Sequence, residues 1–99
     1  MQFTITINQR AAMAYGLNIQ QAAVLSYLQE AWKWAEPVEQ GGKTFYAISK
    51  RMVIEALPML TDKEDTAYRL MKALEKQGLI ELSHTEFSTL VRLTGKGDK

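Results

Sequence analysis

The apolar and polar positions along the chain change period several times. "FTITI", residues 3–7, alternates aromatic and β-branched residues with polar ones and predicts a short strand. Asn8 can cap a helix over 9–15, which Gly16 ends in the left-handed C′ position with Leu17 beyond it. Asn18 then stands where a second helix needs its N-cap. Within that helix Val24, Leu25, Leu28, Ala31, Trp32 and Ala35 recur at 3.6-residue spacing, the stripe of a central core helix. Pro37 and the glycines at 41 and 42 break the pattern, and "EQGGK" reads as a plain loop. "KTFYAI", residues 43–48, is rich in strand formers, and Ser49 can cap a short helix that Pro58 stops, with Val53 and Leu57 one turn apart. Thr61 followed by Glu64 has the spacing of a capping box, so a longer helix is expected to begin near Asp62. Its buried stripe is Ala67, Leu70, Met71 and Leu74, and Gly78 supplies its C′ residue. "LIEL" (79–82) and "TLVRL" (89–93) alternate like two antiparallel strands on either side of "SHTEFS". The expected order is strand, helix, helix, strand, helix, helix, strand, strand: an α+β chain that is mainly α.

At 99 residues the chain makes one domain, spanning 1–99, with residues 95–99 read as a flexible end. A composition 46% apolar and 23% charged is that of an ordinary globular protein. Cysteine is absent, which excludes disulfides and thiolate metal sites. The N-terminal "MQFTITINQR" lacks the pattern of a leader peptide and no apolar run is long enough to span a bilayer, so a cytoplasmic setting without membrane attachment is expected. Formal net charge is only +1, but its distribution is uneven. Residues 1–42 carry two Lys/Arg and three Asp/Glu, whereas 43–99 carry ten and eight.

Little in the sequence points to catalysis. His84 is the only histidine, without the partners a transition metal needs, and is expected to be an exposed turn residue. Glu55, Glu75 and Glu81 fall at separate places in the pattern and make no paired-carboxylate constellation. "TGKGD" is too short for a phosphate-binding loop. The expectation is a non-enzymatic protein with no cofactor, no metal and no small-molecule substrate.

Two helices joined by a tight turn at "LPMLT" and followed by a two-strand hairpin give the order of a winged helix-turn-helix, with a three-to-four-helix core and a small β-hairpin wing. Over about residues 44–82 the chain resembles the winged-helix domain at the N-terminus of phage and prophage replication proteins of the replisome-organiser type. The resemblance is carried by "YAIS", "LPML", "DKEDTAYR" and "LEKQGLI", with a looser echo in "VRLTGKG". It implies duplex DNA binding in replication initiation, with transcriptional regulation as a close variant. It further implies that the second helix of the pair, about 62–77, lies in the major groove.

With Ala67, Leu70, Met71 and Leu74 turned inward, Thr66, Tyr68, Arg69, Lys72 and Lys76 fall outside or at the edge. Arg69 is the candidate for a base contact because its planar fork can bind guanine O6 and N7 together. Thr66, Tyr68 and Lys72 are suited to phosphates, as are Lys63 and, at the start of the preceding helix, Lys50 and Arg51. Asp62, Glu64 and Asp65 stabilise the helix dipole at the same end but repel phosphate, and the wing tip "SHTEFS" has no Lys or Arg. Ala23, Tyr27 and Trp34 share another side of the core helix. They either pack beneath the first helix and strand or form an exposed patch for a homodimer or a replication partner. The second alternative defines a rival function, a winged helix used as a protein-interaction or dimerisation module.

Overall fold

In the computed structural model, residues 16–86 and 88–95 are described. The strand expected over 3–7, the helix over 9–15 and the end at 96–99 lie outside these residues. The described chain is α+β: three helices and a four-stranded antiparallel sheet.

Helix α1, Ile19–Ala31, begins as its sequence predicts. Asn18 Oδ1 accepts from the Gln21 N–H at 2.8 Å, and Gln21 Oε1 accepts from the Asn18 N–H at 3.0 Å. Two otherwise orphaned donors are thereby satisfied reciprocally. The single stripe expected for this helix understates its burial. Ala22, Ala23, Val24, Leu25, Tyr27, Leu28 and Ala31 are all buried, so α1 is enclosed on most of its circumference.

The segment before residue 43, expected to be a loop, contains a strand. β1, Glu36–Gln40, pairs antiparallel with β2, Lys43–Ala47, from Glu36 opposite Ala47 to Gln40 opposite Lys43. Gly41 (φ 59°) and Gly42 (φ 79°) form the two-residue turn, and two consecutive positive φ angles match the right-handed twist of a hairpin. Pro37 is accommodated because β1 is an edge strand, where a missing N–H costs no ladder bond.

Helix α2, Lys50–Ala56, is capped by Ser49, whose Oγ accepts from the Met52 N–H at 3.1 Å, and it ends at Leu57, before Pro58. Helix α3, Glu64–Lys76, starts later than expected. The Thr61 hydroxyl accepts from the Lys63 N–H, two residues on, at 3.0 Å. That tight turn uses the hydroxyl before it can cap a helix, so the predicted capping box does not form and Lys63 is the N-cap without a side-chain bond. Ala67, Met71 and Leu74 are buried as predicted, with Leu70 half-buried. At the other end Gly78 (φ 78°) lets its own N–H reach the Glu75 carbonyl at 2.9 Å and the Leu79 N–H reach that of Leu74 at 3.1 Å, a Schellman closure.

Strands β3, Ile80–His84, and β4, Thr89–Leu93, form the second hairpin, and the sheet order is β1-β2-β4-β3. β2 meets β4 only through Tyr46 opposite Val91 and Ala47 opposite Leu90. The far end of the first hairpin instead touches β3. Lys43 is ion-paired to Glu81 at 3.1 Å, and the Ser83 hydroxyl donates to Gln40 Oε1. The core lies between the helices and the sheet, around Val24, Leu28, Ile48, Val53, Met71, Leu74, Leu79 and Val91. Among the described residues no helix is long and apolar enough to cross a membrane.

Candidate nucleic-acid interface

Burial of Ala67, Met71 and Leu74 leaves Asp65, Tyr68, Arg69, Lys72 and Lys76 exposed on the outer side of α3, with Thr66 half-buried at its margin. Asp65, Arg69, Lys72 and Lys76 follow at spacings of four, three and four, so they form one row along the helix. The surface is of mixed sign: α3 holds three carboxylates (Glu64, Asp65, Glu75) and three cations (Arg69, Lys72, Lys76).

Ion pairing divides the cations further. Among the described residues Lys33 is paired with Glu30, Lys43 and Arg92 with Glu81, Arg51 with Glu55, and Lys72 with Glu75. Lys50, Lys63, Arg69 and Lys76 have no carboxylate within ion-pair distance among those residues. Of the seven DNA-contact candidates, then, Arg69, Lys63 and Lys50 keep their charge uncompensated, while Arg51 and Lys72 do not. The Arg51 pair is long, 3.7 Å, with both side chains about 70% exposed, and screening leaves it little strength.

The Lys72 pair is tighter. Lys72 Nζ donates to Glu75 Oε1 at 2.8 Å, and the other oxygen of that carboxylate accepts the Leu82 N–H of β3 at 2.9 Å. Partial burial pushes the Glu75 carboxyl upward, but the Lys72 and Leu82 hydrogen bonds with the Lys72 charge outweigh it and hold the group below the ordinary carboxylate value. The hydrogen bond and charge of Glu75 raise Lys72 in turn.

Lys50 and Tyr68, assigned separately from the sequence, are brought together. Lys50 Nζ stands 5.3 Å from the centre of the Tyr68 ring, so the ring face holds an ammonium group of α2 beside α3. Next to them an open cleft of about 300 Å³ is lined by Ser49, Lys50, Arg51 and Glu64 and, from the second hairpin, by His84, Thr85, Ser88 and Thr89. His84 is exposed at the end of β3. The tip between β3 and β4 is closed by the Thr85 N–H to the Ser88 carbonyl, 2.9 Å, and the Ser88 N–H to Thr85 Oγ1, 3.1 Å. None of these tip residues stands near Lys50 in sequence, so the cleft had no local signal. The Lys72–Glu75 contact did have one, an i,i+3 pair of opposite charges.

The apolar side of α1 needs correction. Ala23 (7% exposed) and Tyr27 (3%) belong to the core, and only Trp34 (58%) is exposed. Trp34 lies past the end of α1, where its ring meets that of Tyr27 edge-on at 6.5 Å. The three residues therefore do not form an exposed patch; Tyr27 is the base against which Trp34 rests. Burial first and the Glu55 charge second raise the Tyr27 hydroxyl.

Comparison of the chain with models of known protein families, with characterised proteins and with solved structures gives no match.

Proposed function

We propose that this is a non-enzymatic winged-helix protein that binds duplex DNA in phage or prophage replication initiation or in transcriptional regulation, in the host cytoplasm and without a cofactor. In this reading α2 and α3 are the helix pair, α3 enters the major groove, and the β3–β4 hairpin is the wing. The observation that carries it is the placement of the uncompensated cations. Arg69 and Lys76 share the outer row of α3, Lys63 stands at its start, and Lys50 is held beside it by Tyr68. The chain order of α2, α3 and then the β3–β4 hairpin supports the same reading, with β4 of that hairpin paired to β2. The test is binding to random-sequence duplex across a salt series. If those four cations each meet a phosphate, log K falls with log salt at a slope of about −3 to −4. Absence of binding at low salt overturns the proposal.

One observation favours a second reading, a protein-interaction module that recruits a replication or regulatory partner. Trp34 is an exposed aromatic residue backed by a buried one, the arrangement of an interface anchor. Retention of such a partner by wild type and its loss in Trp34→Ala, with no duplex binding by either, would establish that reading instead.

A further inference from the structure

We infer that Glu75 is a built-in competitor for the phosphate contact of Lys72 and so limits how strongly α3 grips nucleic acid irrespective of sequence. The inference rests on the DNA-binding reading and concerns the regulation of that surface. Lys72 lies one helical turn from both Arg69 and Lys76, so a polyanion that reaches those two side chains also reaches it. Its ammonium group is nonetheless held 2.8 Å from Glu75 Oε1.

An exposed pair of this kind is ordinarily weak, since two long side chains must be ordered to make it. Here one partner is already ordered. Glu75 Oε2 accepts the N–H of Leu82 at 2.9 Å, on the edge strand β3, and a carboxylate that swung away would leave that half-buried N–H unpaired. Lys72 must therefore leave a fixed counter-charge to bind a phosphate, and the phosphate must approach that counter-charge. Arg69 carries no such restraint among the described residues. The row thus has two cations uncompensated among the described residues, Arg69 and Lys76, and one, Lys72, whose contribution to indiscriminate binding is held down.

The experiment compares wild type, Glu75→Gln, Lys72→Gln and the double variant on random-sequence duplex over a salt series. Glu75→Gln keeps a side-chain oxygen for the Leu82 N–H, which separates the charge from the structural bond. That variant is expected to bind roughly two- to fivefold more tightly at low salt, the scale of one exposed ion pair, with a salt slope steeper by about 1. Both gains should vanish when Lys72→Gln is the background. If wild type binds duplex but Glu75→Gln binds no more tightly, or if its gain survives in the double variant, the inference is overturned and the DNA-binding reading stands. If none of the four proteins binds duplex at low salt, both fall.

Discussion

Arg69 and Lys72 stand three residues apart on one helix, yet their surroundings give them different parts. Arg69 is exposed and uncompensated among the described residues, and its fork can bind a guanine edge. On a duplex selected from a random pool, Arg69→Ala should lose about 1 to 3 kcal/mol and relax preference at one base position, whereas a phosphate contact would weaken all sequences alike. Equal small losses on selected and random duplex would argue against base reading. Glu75 carries a pH signature of its own. Its folded carboxyl is lowered relative to the ordinary value of 4.5, so its contribution to stability is complete above that value and lost as pH falls through the lower folded one. Urea midpoints measured from pH 6 down to about pH 3 should therefore fall less in Glu75→Gln than in wild type. A parallel decline in the two proteins would show that Glu75 has no such linkage.

Among the elements, the hairpin of β1 and β2 is the one the chain concealed. A proline and two glycines read as a break, and they are one, until an edge position makes the proline harmless and the turn makes use of both glycines. Open space surrounds the position of a Cβ at Gly41, so a side chain there meets only the backbone's own preference. Gly41→Val should cost about 1 to 2 kcal/mol through its left-handed φ, while Gly41→Asn should be nearly neutral because asparagine tolerates that region. Chemical denaturation of both variants measures this, and equal losses would mean that the turn does not demand positive φ. The helices were more legible. Asn18, Ser49 and Gly78 act at helix ends as their types predict, whereas Thr61 does not, because its hydroxyl closes a shorter turn first.

Over the whole molecule, the layers decide which side chains remain available. Enclosure of α1 takes Ala23 and Tyr27 into the core and leaves Trp34 as the exposed member of that group. A stable dimer interface needs about 800 Å² from each partner, far more than one tryptophan supplies. Sedimentation at micromolar concentration should therefore give the same oligomeric state for wild type and for Trp34→Ala; a wild-type dimer that dissociates in the variant would overturn this. The first hairpin also sits against the second through Lys43–Glu81 and Gln40–Ser83, and Arg92 shares Glu81 at 3.2 Å. Two cations that net charge counts as available to phosphate are thus engaged within the sheet.

By itself the sequence determined what depends on neighbours within a turn or two: the caps at Asn18 and Ser49, the Gly78 stop, the inward stripe of α3, and the strand over residues 89–93. These follow from backbone hydrogen bonding and from the 3.6 and 2.0 periods, which act locally. The outward position of Arg69 was legible for the same reason, being the complement of the stripe. Only the tertiary structure decided that residues 36–40 are a strand, that α1 is buried on most sides, that Lys50 lies over Tyr68, and that the carboxylate holding Lys72 is fixed by β3. Each of these joins positions remote in sequence or depends on which layer covers a face, and no local period records that.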